Sequence, residues 1–405
     1  MKSWMRCVIW ASLFSVLVAC GGGGGGDGGS DSGVGGGGND GGGNEQSHLI
    51  SGTAAKGLIY DGSVRIFSVN AAGHKADLLD WVSTDSRGRF FANVDNYNGT
   101  ILVEASGKYL DEATGVVETI AENSPLRAAM VNVNGDRSLA VTPFTELAVR
   151  RAVTAGGLSA VRIQEANTLL SKLFHFDVLV TEPVAPTVQE FAGAGTAQKN
   201  STLALAALCQ MAAELGGGIP QLQDALATEI SGAGKLSIAT LERLDKATND
   251  FLSSSRNETG IFDQNTTTLP QIGYTPVRLR FQTQGVSAPS AIGGIELLIT
   301  LPEGARLPVD TSGQLLNGVV TLASGINALL TTHYLPESGQ ARAQIALALI
   351  STEGFGGGNF AWMDFEVLGP ALPSLDTFTL DDFTVVDGNG APIGASAFLI
   401  VEARP

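Results

Sequence analysis

A glycine-rich tract near the N-terminus is the part of this chain that is least able to fold. Between residues 21 and 43, glycine occupies 16 of 23 positions, and Val34 is the only aliphatic side chain. Ordering such a segment costs conformational entropy that apolar burial cannot offset. We therefore expect residues 20–48 to form a flexible tether, in which residues 21–43 alone have a root-mean-square reach of roughly 27 Å. The folded modules must then follow the tether.

The charge balance limits the classes of partner. The chain contains 24 Lys and Arg against 40 Asp and Glu, a formal net charge of −16. No cluster of basic residues interrupts this acidic composition. An acidic surface repels the phosphate backbone of nucleic acids, so we do not expect nucleic acid as a partner.

Residues 1–19 have the pattern of an export signal. Two basic residues precede residues 7–19, an uncharged apolar run that is too short to span a bilayer. The run ends in Leu-Val-Ala followed by a cysteine, which resembles the bacterial lipobox. The resemblance implies cleavage between Ala19 and Cys20 and attachment of lipid to Cys20. The alternatives are an uncleaved N-terminal anchor and a secretory signal without lipid.

Lipid on Cys20 would make this chain an exported bacterial lipoprotein, held on a membrane by its acyl chains. The residue after the cysteine is Gly21, whereas Asp at that position favours inner-membrane retention in Gram-negative lipoproteins that resemble this one. We therefore expect an outer-membrane location, at the periplasmic or the surface face. Loss of the signal would leave 22 basic and 40 acidic residues, a net charge of −18.

Cysteine usage excludes an internal disulfide in the processed chain. Cys7 would leave with the signal and Cys20 would carry lipid, so Cys209 would remain alone. One cysteine cannot build a metal or redox motif. Because its sequence neighbours are apolar, we expect Cys209 to be a packed thiol and not a nucleophile.

Residues 49–141 predict a small β-sandwich. Apolar and polar residues alternate with a period of two, and short turn signals separate the runs. The segment Thr-Asp-Ser-Arg-Gly-Arg-Phe at 84–90, together with a strand closing on Gly107, resembles the carboxypeptidase-regulatory-like (transthyretin-like) β module. That resemblance implies a spacer module and brings no peptidase residues.

Residues 142–260 predict a helical bundle. Amphipathic stripes are separated by short Gly and Pro breaks. Pro143 opens the first helix, which ends at Gly156-Gly157, and a later helix is expected to begin with Asn200 as its N-cap. Residues 261–276 are interpreted as a linker.

Residues 277–405 return to a period of two and predict a second β-sandwich. The strand pattern, including Gly-Gly-Asn-Phe-Ala-Trp-Met-Asp-Phe-Glu-Val at 357–367 and the late Asp-Gly-Asn-Gly at 387–390, resembles cohesin domains. Cohesins are jelly-roll sandwiches related to carbohydrate-binding modules, so the resemblance implies a binding scaffold and not catalysis. The fold class expected for the whole chain is multidomain α+β.

The strand at 360–368 supplies the candidate ligand-binding residues. Alternation places Phe360, Trp362, Asp364 and Glu366 on one face. The core face is then expected to carry Met363, Phe365 and Val367. An indole beside two carboxylates is a candidate contact for a ligand, whereas its alternative is coverage by a neighbouring element.

Metal and catalytic groups are sparse. Asp387 and Asn389 could hold Ca²⁺, but their sequence is also that of a tight hairpin, which we favour. The four histidines are too far apart in sequence for a metal-binding pair, and no Gly-x-Ser-x-Gly elbow is present. Each histidine is expected to be a solvated loop residue or, at His175, a packed one. We expect no cofactor.

Three functions remain open at this point. The leading hypothesis is a non-catalytic envelope lipoprotein that binds a surface protein or a glycan. The second is an envelope hydrolase with a site at the junction of the helical and β regions. The third is a structural or assembly factor of a surface complex.

Overall fold

The computed structural model describes residues 47–216, 218–338 and 342–404. Strands precede and follow a central helical region, so the described part is a mixed α+β structure. The predicted signal, Ala19, Cys20 and most of the tether lie outside the described residues. His48, which we assigned to the end of the tether, is 8% exposed, and its backbone pairs with Val94 and Asp95.

The first region contains eight strands in two sheets. The strands are β1 (Leu49–Ala54), β2 (Tyr60–Val69), β3 (Lys75–Ser83), β4 (Arg89–Asn93), β5 (Gly99–Leu110), β6 (Val117–Ile120), β7 (Leu126–Val133) and β8 (Arg137–Val141). One sheet has the order β4-β1-β8, and the other has the order β3-β2-β5-β6 with β7 also paired to β5. β1 runs parallel to β8, although most neighbouring strands are antiparallel.

Alternation explains how these two sheets pack. Val64 and Ile66 on β2 are fully buried, whereas Arg65 between them is only half-buried. Such side chains from both sheets form one apolar core. Gly107 allows β5 to approach β2 closely, because a Cβ at this residue would lie 2.5 Å from the Cα of Gly62, and its φ is +143°.

The central region contains six helices within the described residues. They are α1 (Pro143–Thr154), α2 (Ala160–Phe174), α3 (Val188–Gly193), α4 (Thr196–Leu215), α5 (Gly218–Ala233) and α6 (Ile238–Ser253). Thr142 caps α1 by accepting from the Thr145 amide, and Pro143 occupies the first turn, as predicted. The prediction that Asn200 is an N-cap is wrong. Helix α4 begins four residues earlier, and the buried Asn200 amide donates to Thr268 Oγ1 at 2.7 Å.

The helices and the first sheets share a core. Leu102 of β5 and Ala129 of β7 belong to the same apolar cluster as Phe144 of α1 and Leu170 of α2. Among the described helices, no single one is long and apolar enough to cross a membrane. Helices α4 and α5 would reach that length and composition only together, and they are bent by 103° at their junction.

The last region is a sandwich of two antiparallel sheets. Its strands are β9 (Tyr274–Gln284), β10 (Ile292–Thr300), β11 (Ala305–Arg306), β12 (Val320–Leu322), β13 (Leu329–Leu335), β14 (Gln344–Phe355), β15 (Gly358–Leu368), β16 (Thr379–Val386) and β17 (Ser396–Ala403). One sheet has the order β13-β14-β10-β16, and the other has the order β11-β15-β9-β17 with β12 also paired to β15. The predicted alternating residues, such as Leu279, Leu297 and Leu347, form the core between the two sheets.

The segment 261–276, interpreted as a linker, packs against the helices. Tyr274 is 9% exposed, and the Arg306 guanidinium lies 3.5 Å from the centre of its ring. His175, in the left-handed conformation at the end of α2, places Nε2 2.8 Å from the carbonyl oxygens of Gln271 and Tyr274. These contacts join the helical region to β9.

Candidate functional site

A bulge in β15 changes the predicted ligand-binding face. The register of β15 against β9 shifts between Asn359 and Ala361, so Phe360 turns into the sandwich core and is 1% exposed. The prediction that Phe360 shares a face with Trp362 is therefore wrong. Trp362 is half-buried on the outward surface of this sheet and pairs across strands with Thr321 and Arg280.

Both predicted carboxylates next to Trp362 are held by arginines. Arg278 donates to the two oxygens of Asp364 at 2.7 and 2.8 Å, and Arg404 lies 3.2 Å from the same carboxylate. Arg306 pairs with Glu366 at 2.7 Å. The Asp364 side chain is only 11% exposed, so it is largely closed to a ligand.

We call this outward surface the arginine face. Its charged members are Arg278, Arg280, Arg306, Arg404, Asp364, Glu366 and Glu402. Each acidic member has an arginine partner, including Glu402, which pairs with Arg280. Ion pairing raises the pKa of Arg278 because Asp364 accepts its hydrogen bonds. Every carboxylate of the arginine face is therefore paired, and its aromatic groups are the half-buried Trp362 and the exposed Phe398.

Asp387 and Asn389 form the tight hairpin and not a metal cage. One Asp387 carboxylate oxygen accepts from the Asn389 and Ala391 amides at 2.8 and 2.9 Å. These backbone hydrogen bonds lower the Asp387 pKa. Across the described ranges, no group of three or more His, Cys, Asp and Glu residues is placed to hold a metal ion.

The other sheet of the sandwich has an outward surface of different chemistry. We define the apolar face as the outward residues of the stretch over which β13 and β14 pair, which are Leu329, Thr331, His333, Leu335, Gln344, Ala346, Ala348 and Ile350. Leu329 and Ile350 are register partners and are 70% and 63% exposed. Ala346 and Ala348 keep the middle of this face flat, because their side chains are short.

The apolar face was missed at the sequence level, although a signal for it exists. In the run from Ala343 to Ile350, both alternating sets of residues are almost entirely apolar. A strand with one core face and one solvated face places polar residues on one of the two sets. Residues Ala346, Ala348 and Ile350 break this rule, and β13 brings Leu329 beside them.

The groove between α2 and β7 is where a hydrolase site would lie at the helical–β junction. Its volume is about 590 Å³, and Ser171, His175 and Asp177 are among its lining residues. Each of these three side chains makes its hydrogen bonds to the backbone. Ser171 Oγ accepts from the Val178 amide, Asp177 Oδ1 accepts from the Leu179 amide, and His175 Nε2 faces backbone carbonyls. No histidine–serine hydrogen bond is formed in this groove.

Cys209 is a buried thiol on α4. It is 1% exposed, and Sγ donates to Glu112 Oε2 at 3.0 Å. Burial, followed by the nearby Glu112 carboxyl, raises its pKa well above the usual value. The thiolate needed for nucleophilic attack is therefore strongly disfavoured.

Comparisons with known proteins found two solved structures of low similarity. No family model matches the chain, and no curated protein matches it. A non-cellulosomal cohesin from the hyperthermophilic archaeon Archaeoglobus fulgidus is 17% identical, over 30% of this chain and 72% of that chain, with a TM-score of 0.20. A 9R-lipoxygenase from Cyanothece PCC8801 is 9% identical, over 85% of this chain and 43% of that chain, with a TM-score of 0.16. TM-scores this low do not establish a shared fold, so the function must be argued from the chain's own geometry.

Proposed function

We propose that this chain is a non-catalytic envelope lipoprotein that binds another protein through the apolar face. The observation that carries the proposal is the pair of large aliphatic side chains at Leu329 and Ile350, which are 70% and 63% exposed and adjacent across β13 and β14. Contiguous exposed apolar surface is a mark of interaction sites.

The composition of the apolar face supports a protein ligand. None of its eight outward residues is Lys, Arg, Asp or Glu, although the chain as a whole is acidic. Five of the eight residues are Leu, Ala or Ile, and the other three are Thr331, His333 and Gln344. Such a surface suits another protein as its partner, because charged residues are depleted from the centre of protein interfaces. The outer surfaces of the two sheets therefore differ: on one, every carboxylate of the arginine face is paired with an arginine, and on the other, large aliphatic side chains are exposed.

The charges beside the apolar face indicate the chemistry of the partner. Glu296 on β10 and Asp382 on β16 continue the outward surface next to β14, and both are exposed. A partner with an apolar patch flanked by Lys or Arg would match this arrangement. Charge complementarity of this kind accelerates association and selects among partners.

Several placements support a non-catalytic role. The Cys209 thiol is buried and hard to ionise, and the Asp364 and Glu366 carboxylates are held by arginines. His175 is bound to backbone carbonyls. Labelling of the purified chain by serine- or cysteine-directed activity probes would instead favour the hydrolase.

Site-specific photocrosslinking in intact cells tests the proposal. A photoreactive amino acid replaces Leu329, and a matched control replaces Phe398, which lies on the arginine face and is 43% exposed. The proposal is supported by a protein that crosslinks from the first position only, binds the purified chain directly, and fails to bind Leu329→Lys.

Three results would contradict the proposal. One is crosslinking from the arginine face only, which would favour a binding site at Trp362. Another is a glycan as the ligand, lost in Trp362→Ala and kept in Leu329→Lys. The last is self-crosslinking together with a concentration-dependent dimer in sedimentation, which would make the apolar face a contact between copies.

A further inference from the structure

A fully buried lysine in the first β region lies against a buried aspartate. Lys56 is in the tight turn between β1 and β2, and Asp111 follows the end of β5. The distance from Lys56 Nζ to Asp111 Oδ2 is 2.5 Å, and the two side chains are 2% and 9% exposed. Lysine is almost never fully buried without a partner, so this pair is a deliberate feature of the core.

The surroundings of the pair are closed and partly aromatic. Lys56 Nζ lies 4.2 Å from the centre of the Tyr109 ring. The Cys209 thiol of α4 covers the same turn and contacts the Lys56 carbonyl oxygen at 3.7 Å. Desolvation of both charges is costly, because in the interior little water remains to stabilise them.

The second oxygen of the aspartate is held by three donors. Asp111 Oδ1 accepts from the Ala113 amide at 3.1 Å, from the Thr114 amide at 2.9 Å and from Thr114 Oγ1 at 3.0 Å. Donors fixed around a carboxyl oxygen stabilise the negative charge that develops there when a nucleophile attacks the carbon. Asp111 therefore presents one oxygen to an amine and the other to an oxyanion pocket.

We propose that Lys56 and Asp111 condense into an intramolecular isopeptide bond that ties the β1–β2 turn to the end of β5. A proton passes from Nζ to Oδ2 along the existing hydrogen bond, and the neutral amine attacks the Asp111 carboxyl carbon. The C–N bond forms while Oδ1 carries the negative charge. The second amine proton goes to the leaving oxygen, the C–Oδ2 bond breaks, and water departs. No oxidant or reductant is needed.

In solution an amine and a carboxyl group rarely meet in a reactive arrangement, and the fold holds Lys56 and Asp111 together. Fixing amine and carboxyl in contact replaces a bimolecular encounter with an intramolecular step of very high effective concentration. Condensation also removes two buried charges. The Glu112 carboxyl faces Cys209, and burial raises the pKa of Glu112 to about 7. Glu112 is therefore able to exchange protons beside Lys56 and Asp111.

The ion pair is the resting state from which the bond forms. Burial lowers the Lys56 pKa, but the hydrogen bond to Asp111 and the negative charge of Asp111 raise it, and the net direction is upward. Burial raises the Asp111 pKa, but the Lys56 hydrogen bond outweighs this and lowers it. The neutral pair is therefore a minor species. A reaction that happens once and is not reversed can proceed through a minor species.

Peptide mapping of the full chain, purified folded and then unfolded for trypsin digestion, tests the proposal. An isopeptide bond blocks cleavage after Lys56 and joins its peptide to the tryptic peptide 109–127, with a total mass lower by one water molecule. The linear peptide 57–65 is then lost. The matched control is the pair of Lys75 and Glu104, which are 2.8 Å apart but whose lysine side chain is 45% exposed, and it should yield linear peptides only.

Fragmentation of the joined peptide must place the bond on Asp111. Recovery of peptides 57–65 and 109–127 as separate species from the wild-type chain would overturn the proposal, and so would a bond to Glu112. Lys56→Arg keeps the charge but cannot form the amide, so its digest should lack the joined peptide. Because the decisive measurement is made on the wild-type chain, misfolding of the variant does not affect it. The apolar-face proposal is independent of this result.

Discussion

Arg278 on β9 donates to both carboxylate oxygens of Asp364 on β15, at 2.7 and 2.8 Å. The pair is the centre of the arginine face. We expect Asp364→Ala to lower the free energy of unfolding by about 1–3 kcal/mol, because two guanidinium groups lose a charged acceptor while partial solvent exposure limits the cost. Urea unfolding would measure the change. The exposed Asp382→Ala serves as control and should stay within about 0.5 kcal/mol of wild type.

Charge on the apolar face is expected to abolish binding without harming the fold. Leu329→Lys and Ile350→Lys change side chains that are mostly exposed, so unfolding free energies should change by no more than about 0.5 kcal/mol. Partner binding should be lost in both variants, because an unpaired ammonium would be buried at the interface. Destabilisation comparable to that of Asp364→Ala would mean that these side chains pack within the chain instead.

Cys209 is expected to be chemically inert in the folded chain. Its thiol is buried, and burial raises its pKa well above the usual value. A thiol reagent such as iodoacetamide should label it only after unfolding, at the rate of global opening. Rapid labelling under native conditions would show that α4 opens locally over the turn that contains Lys56.

Glu112 is expected to make stability depend on pH. Burial, opposed by the Cys209 hydrogen bond, raises its pKa from 4.5 to about 7. The folded state then binds the proton more tightly than the unfolded state, so this contribution is complete below about pH 4.5 and is lost as the pH rises to about 7. The loss is at most about 3 kcal/mol. Glu112→Gln should flatten the pH dependence of denaturant unfolding across this window, and an unchanged slope would count against the raised pKa of Glu112.

Cys20 lies outside the described residues, and its lipidation stays a prediction of the sequence. We expect the mature N-terminal peptide to begin at Cys20 and to carry acyl chains, as measured by mass spectrometry of the membrane fraction. Cys20→Ser should lose the acyl mass and keep residues 1–19, because serine has no thiol to carry the lipid that precedes cleavage. A wild-type chain that retains residues 1–19 without acyl chains would indicate an uncleaved anchor.

Local patterns in the sequence predicted most of the secondary structure. A period of two identified the core strands around Leu297 and Leu347, and Pro143 identified the start of α1 because its fixed φ suits the first helical turn. Prediction failed where a local signal was ambiguous. Asn200 resembled a cap but lies inside α4, where the buried contact to Thr268 compensates for its weak helix propensity.

The candidate site depended on strand register and on contacts between residues far apart in the sequence, which no local pattern contains. Alternation alone placed Phe360 beside Trp362, and only the bulge against β9 turned it into the core. The partner of Asp364 is 86 residues away in sequence, and the partner of Lys56 is 55 residues away. The chain by itself thus determined most of its helices and strands and the alternation along the core strands, because these depend on neighbours within a few positions. The tertiary structure alone decided which faces meet, which charges are neutralised and which apolar surface stays exposed, because sheet order and register bring together residues that the sequence separates.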